Sequence, residues 1–308
     1  MFDTIDSLQS SQQVEFELIV VDQNTKVSQH FEEELKRVSE KSNIIWIKSR
    51  VPSLTRARNT GLQNAREINV VHTSLDSKEV DKNPIRIAFL SDFHITWSDF
   101  SFSRLEQIIT KVKKTSPDLI LLGGDFTGEG HAATNMIRNQ IVSSLSALSD
   151  IAPTYTVLGN HEWWTGGDEW VEVIENSEIH LIENKQKLLT INGREICLRG
   201  LGDAYTNHYQ PQPFKGDCTG LKITLTHDPY AVELDAEQGI FLSGHTHCSQ
   251  IKVPSVRAFW TPTKADESLW CGWTLHNGRA SLTTAGLGTS IIPLRLGTTS
   301  GFDVVTIQ

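Results

Sequence analysis

The 308-residue chain has no uninterrupted apolar run approaching the roughly eighteen residues that a membrane-spanning helix needs. Its start lacks the charged, apolar and small-residue series of a secretory signal. Positive charge is short: 28 Lys and Arg against 37 Asp and Glu leave a formal charge of −9. That balance argues against a nucleic-acid partner, because phosphate-backbone binding relies on Lys/Arg patches. Cysteine is scarce. Cys197, Cys218, Cys248 and Cys271 show neither C-x-x-C spacing nor a compact disulfide framework, so reduced thiols in a cytoplasmic setting are expected, with Cys248 a packed thiol. Repeats and low-complexity tracts are also missing. At 38% apolar, the chain can still bury a large core as one domain or a domain with an appendage.

What is present is a set of short polar blocks, all C-terminal to residue 84: Asp92-Phe93-His94, Gly124-Asp125, Gly159-Asn160-His161-Glu162, His227, and Gly244-His245-Thr246-His247. They mix oxygen and imidazole donors in a way that suits a pair of divalent transition-metal ions. Asp92 ends the apolar run Ile85–Leu90 and Asp125 follows Leu119–Leu122, each of which reads as a buried strand. Carboxylates at the carboxyl ends of strands stand where open α/β sheets bind ligands. In extended backbone, residues i and i+2 share a side, so Asp92 with His94, and His245 with His247, are each expected to reach one ion together. Glycines at 124, 159 and 244 precede ligand candidates, where a side chain would obstruct the backbone. One Asp-x-His or His-x-His alone is weak evidence. The order of all five blocks, each after an apolar run, carries the reading.

On these blocks, residues 85–308 resemble the calcineurin-like metallophosphoesterases, whose pattern is D-x-H, G-D, G-N-H-[D/E], H, G-H-x-H. The resemblance implies that Asp92, His94 and His247 hold one ion, that Asn160, His227 and His245 hold the other, and that Asp125 bridges the two. It also implies that His161 is a catalytic histidine that binds neither metal. The stretches GHTHCSQIKVP from Gly244 and GLGTSIIPLRL from Gly286 are similar to a bacterial subgroup of membrane-associated phosphodiesterases. That subgroup more usually reads T-H-G-G-Q-I, so Cys248 and Ser249 depart from it.

Two cations roughly 3.5–4 Å apart bind phosphoryl oxygens and generate hydroxide for in-line attack. His161 is then suited to protonate the leaving oxygen. The expected function is therefore hydrolysis of a phosphodiester or pyrophosphate by metal-activated hydroxide. The substrate would be a small or lipid-linked phosphoester, for which the subgroup suggests UDP-2,3-diacylglucosamine. Mn²⁺ suits the donor set, and Fe or Zn can fill one position. Two alternatives stand beside this: a general phosphomonoesterase or protein phosphatase, and a non-catalytic metal-binding protein. The expected location is the cytoplasm, with peripheral contact at the inner face of the membrane allowed.

Other candidates weigh less. His131 and His208 read as loop histidines, and His30, His72, His180 and His276 have no motif around them. Trp97, Trp163 and Trp164 follow the first and third blocks, where loop packing is the plainer reading and contact with an acyl chain or base the sharper one.

Residues 1–72 read as βαβα: strands at 16–22 and 43–48, helices at 28–39 and 54–65. This order resembles the nucleotide-sugar half of a family 2 glycosyltransferase, truncated and without the metal-binding D-x-D, hence an inert appendage. Residues 73–84, TSLDSKEVDKNP, read as a linker, and 85–308 as the catalytic domain. There, helices are expected at 103–114, 133–149 and 169–176, and strands at 179–182, 187–191, 195–201, 221–226, 240–242, 280–285 and 302–307. The fold class is α/β, a four-layer α/β/β/α sandwich with a small N-terminal βαβα fragment.

Overall fold

The computed structural model describes residues 18–22, 44–48, 68–75, 83–96, 99–128, 134–216, 218–251, 261–291, 295 and 297–308. Near the N-terminus, β1 (Leu18–Asp22) pairs in parallel with β2 (Ile44–Lys48). The helices expected at 28–39 and 54–65 lie outside the described residues.

Two six-stranded sheets form the body. The first runs β3 (Asn69–Leu75), β14 (Gly301–Ile307), β4 (Ile85–Leu90), β5 (Leu119–Leu122), β6 (Thr154–Thr156) and β7 (His180–Leu181). The second runs β12 (Gly272–His276), β13 (Arg279–Thr283), β11 (Ile240–Ser243), β10 (Leu221–Leu225), β9 (Arg194–Gly200) and β8 (Gln186–Ile191).

Strands β4 and β5 are apolar at nearly every position because both of their faces are covered. Ile85, Ile87, Phe89, Leu119 and Leu121 enter the layer between the sheets, with Ile196, Leu198, Ile223 and Leu225 opposite. Ala88, Leu90, Ile120 and Leu122 point the other way, onto helices α1 (Asp99–Thr115), α2 (Asn135–Ser146) and α4 (Gly167–Glu175), through Leu105, Ile108, Ile141, Leu145, Trp170 and Ile174. The short helix α3 (Asn160–Trp164) follows β6. On the far side of the second sheet, Ala231 and Val232 of α5 (Tyr230–Leu234) pack with Phe241 and Leu269. The order helix, sheet, sheet, thin helical layer is the expected α/β sandwich. Among the described residues, no helix is long and apolar enough to cross a membrane.

Three expectations need correction. Strand β3 pairs along its length with β14, from Asn69 with Gly301 to Leu75 with Ile307. The domain boundary drawn at residue 72 and the linker drawn from Thr73 therefore both fall inside a strand of the first sheet. As an edge strand, partly exposed along its length, β3 lacks the apolar run that marks β4. Second, β6 and β12 were not foreseen, although β12 and β13 meet at Asn277-Gly278, both at positive φ, the usual sequence of a tight hairpin turn. Third, the cysteines are not reduced thiols: Cys197 is bonded to Cys218 and Cys248 to Cys271, with Cα atoms 6.2 and 4.6 Å apart. Sequence separations of 21 and 23 residues concealed both pairings. Bonds of this kind persist in oxidising surroundings, which removes the basis for a cytoplasmic setting.

Asp303 sits in β14 on the side of Val305, facing the layer between the sheets, and is 6% exposed. Burial pushes its carboxyl up to about 6, with the Thr284 hydroxyl pulling the other way. Its folded pKa thus lies above the unfolded value. The stability associated with the neutral form is fully present below the unfolded pKa and is lost as pH rises through about 6. Asp303→Asn should exceed the parent in stability by about 2–3 kcal/mol at pH 8, with the gap shrinking toward pH 4. Urea unfolding at both pH values checks this, and a gap independent of pH would refute it.

Candidate metal centre

The parallel strands deliver the site at one edge. Asp92 lies two residues beyond β4, Asp125 three beyond β5, Asn160 four beyond β6, His227 two beyond β10 and His245 two beyond β11. Asp92, His94, Asp125, Asn160, His161, His227, His245 and His247 are all buried, none more than 4% exposed. Donor atoms of Asp92, His94 and His247 lie within 4.8 Å of one another, as do those of Asp125, His227 and His245, and those of His94, Asp125 and His161. Asn160 joins through its Oδ1, 3.1 Å from His227 Nε2.

Asp125 is the centre. Its Oδ2 stands 3.3 Å from His227 Nε2, 3.7 Å from His94 Nε2 and 3.9 Å from His161 Nε2. Burial alone would raise its carboxyl, but the imidazoles of His227, His161 and His94 outweigh that and hold it well below the usual carboxylate range. Burial likewise lowers His227, yet Asp125 and Asp92 carry it well above the ordinary histidine value. Asp92 is raised, first by burial, with the charge of Asp125 adding to the shift. Two carboxylates and several imidazoles forced together in this way call for cationic charge among them.

The donor set fits metal ions. His227 Nδ1 donates to the Gly123 carbonyl at 2.6 Å, and His245 Nε2 donates to the Pro262 carbonyl. Each hydrogen bond fixes a tautomer and leaves the other ring nitrogen as a lone-pair donor, the usual outer support of a metal-binding histidine. His94 Nε2 and His247 Nε2 face each other at 2.9 Å, with Asp92 Oδ1 3.5 Å from the latter. Two ring nitrogens this close beside a carboxylate form a group that could hold a metal ion.

The backbone explanation for the pairs is not the expected one. Asp92, His94, Asp125, His245 and His247 all have φ between 47° and 66°, so these residues are left-handed, not extended. Asp and His are among the types that tolerate this region. The pairs converge, but through alternating left-handed kinks. The glycines act as foreseen at all three points: a Cβ on Gly159 would strike Asp125 Oδ1, one on Gly124 the Gly159 nitrogen, and one on Gly244 the side chains of Ser91 and Asp92.

A cavity of about 300 Å³ opens onto Asp125, Asn160, His161, His245 and His247. Its outer wall holds Trp164, Tyr205, Ile251, Pro262 and Ile291. Of these only Trp164 was singled out from the sequence. His208 does not reach the cavity wall but stacks on Trp163, centroids 3.6 Å apart and planes at 6°. His131 and Trp97 lie outside the described residues.

A family model described as calcineurin-like phosphoesterase matches residues 85–249. Phosphodiesterase YaeI of Escherichia coli (strain K12) is 31% identical over 221 residues, covering 69% of this chain and 78% of that protein. A transmembrane protein with metallophosphoesterase domain from Danio rerio is 27% identical over 247 residues, 73% of this chain and 54% of that one. Among solved structures, a 5'-nucleotidase precursor from Thermus thermophilus superposes with a TM-score of 0.43 at 11% identity, over 73% of this chain and 54% of that one. The chain thus spans about half the length of the last two. Nothing in these comparisons supports a glycosyltransferase reading of residues 1–72.

Glu162 belongs to the third polar block, but sequence alone assigns it no role. Its Oε2 accepts the backbone N–H of Asp125 at 2.8 Å and of Gly159 at 3.0 Å, and its Oε1 accepts those of Phe126 at 2.8 Å and Thr127 at 3.2 Å. One buried carboxylate therefore joins the loop after β5 to the start of α3. Glu162→Gln turns a donor toward donors and should weaken Mn²⁺ affinity about 10–100-fold. Competition with a fluorescent chelator measures this, and unchanged affinity would show that the joint is dispensable.

Proposed function

The chain belongs to the calcineurin-like phosphoesterases and is a hydrolase of phosphoesters, and on that premise we propose that it is a binuclear metal-dependent phosphodiesterase. In this reading Asp92, His94 and His247 hold one ion, Asn160, His227 and His245 hold the second, and Asp125 stands between them. The observation that carries it is Asp125 Oδ2, set 3.3–3.9 Å from imidazole nitrogens on three separate segments. Bound there, two divalent cations would supply the charge that binds phosphoryl oxygens and acidifies an attacking water.

The chain's own groups do the rest. Asn160 contributes a neutral oxygen, which limits negative charge around the phosphate. His161 is held by its backbone N–H, which donates to Asp125 Oδ1 at 2.9 Å, and by its ring set edge-on to His94 at 4.7 Å between centroids. Its imidazole lines the cavity, within reach of a leaving group. Water adds to phosphorus and releases a proton to solvent, the bond to the leaving oxygen breaks, and His161 delivers the proton that this oxygen takes. A diester is favoured over a monoester by the name of the Escherichia coli relative and by a cavity wall that, among the described residues, carries no Lys or Arg to meet a dianion. Mn²⁺ is the first metal to test, given the mixed donors. The pyrophosphate of a nucleotide-linked lipid such as UDP-2,3-diacylglucosamine is the first natural candidate.

Elemental analysis should find two divalent ions per chain. Dialysis against EDTA should abolish hydrolysis of bis-p-nitrophenyl phosphate, and Mn²⁺ should restore it. His161→Ala should keep both ions and lose about 10²–10⁴-fold in kcat. Undiminished turnover in that variant would remove the role given to His161, and loss of metal would make it a ligand instead.

A further inference from the structure

Resting on the phosphodiesterase reading, we infer that Trp164, Tyr205 and Ile291 form a subsite for an apolar substituent of the substrate, making the enzyme selective for phosphoesters that carry an apolar group on the non-leaving side of phosphorus. The three line the cavity that opens onto the metal centre. They are 59%, 37% and 62% exposed, although each is large and apolar. Exposed apolar groups at a mouth whose charged lining, among the described residues, consists of the metal-centre residues have hydrocarbon as their natural partner.

These side chains are held in place. Asp203 accepts the backbone N–H groups of Tyr205 at 3.3 Å and Thr206 at 2.9 Å, which shapes the turn that presents Tyr205. That loop is fastened to α3 by the stack of His208 on Trp163, so the Trp164 and Tyr205 rings stay 6.0 Å apart. The Tyr205 ring lies 4.7 Å from that of His245, and the Trp164 ring 5.2 Å from that of His161. A group bonded to phosphorus at the centre therefore meets these rings directly.

Ile291 adds an independent sign. Its φ is 61°, a conformation that a β-branched residue adopts only at a cost. Gln250 Nε2 donates to the Ser290 carbonyl at 2.9 Å and its Oε1 accepts the Ser290 N–H at 2.8 Å, which holds the neighbouring backbone against the histidine loop. A strained residue kept solvent-exposed and apolar beside the cavity fits a contact surface for ligand.

The test compares kcat/KM of the Mn²⁺-loaded protein for methyl, phenyl and n-octyl p-nitrophenyl phosphate, which share a leaving group. The parent should prefer the phenyl or octyl ester over the methyl by about tenfold or more. Whichever of the two is faster identifies an aryl or an alkyl occupant. Trp164→Ala and Ile291→Ser should each lower that preference at least severalfold. Turnover of all three esters without preference, or a preference unchanged in both variants, overturns the subsite and leaves the phosphodiesterase reading standing. Failure of the metal-loaded protein to cleave any of the three overturns both.

Discussion

Two carboxylates, Asp92 and Asp125, are buried at the ends of adjacent parallel strands, and the constraint they impose runs through the structure. Fully desolvated carboxylates cost several kcal/mol each unless opposing charge reaches them. The chain meets this with imidazoles from three other segments, with backbone N–H groups, and with the cations that the donor set fits. The His245 N–H lies 3.0 and 3.1 Å from the two Asp92 oxygens, and the His161 N–H donates to Asp125. The loops that carry the histidines are thereby also the loops that solvate the acids. A cluster of this kind is an electrostatic unit: removing one member leaves the charge of the others uncompensated.

The same demand explains the backbone. Five of the residues read as ligands adopt left-handed φ, at a cost on the order of 1–3 kcal/mol apiece for non-glycine residues. Such strain persists only where the surroundings overdetermine it, and here they do. Glu162 binds four backbone N–H groups, and the Cys248–Cys271 bond fastens the residue after His247 to the strand that follows. A closed loop of that length contributes about 3 kcal/mol in the chain-entropy account. The bond lies beside the strained turn, where tethering is most useful.

The residues that converge in this cluster could be read from the sequence because motif chemistry draws on few side-chain types, here carboxylate, amide and imidazole, and the order of the blocks survives whatever path the backbone takes. The argument from extended strands was unnecessary and incorrect, since Asp92 and His94 converge through left-handed turns. Strands β4 and β5 could be read because both of their faces are buried. Strand β3 could not, because an edge strand with Asn69, His72 and Ser74 resembles a linker until its partner β14 is known. Cysteine pairing was illegible for the same reason: Cys197 and Cys218 are neighbours only across β9 and the approach to β10. Asn192-Gly193 and Asn277-Gly278, by contrast, carry a hairpin-turn signal in plain sequence that the expected strands left unused.

Helix α3 shows why the strongest block is also the densest. Five consecutive residues wrap a turn of 3.6 residues, and each makes a distinct contact. Asn160 and His161 face the donor cluster, Glu162 turns back onto the loop after β5, and Trp163 stacks on His208. Trp164, one turn beyond Asn160, comes round to the same cavity. The proposed chemistry, its support and the proposed selection thus all rest on a single turn that starts at Gly159, where any side chain would collide with Asp125. In the proposed reading, a shift of that turn would move the donor, the acid and the rim together, which would couple the position of the reacting phosphate to the choice of the group attached to it.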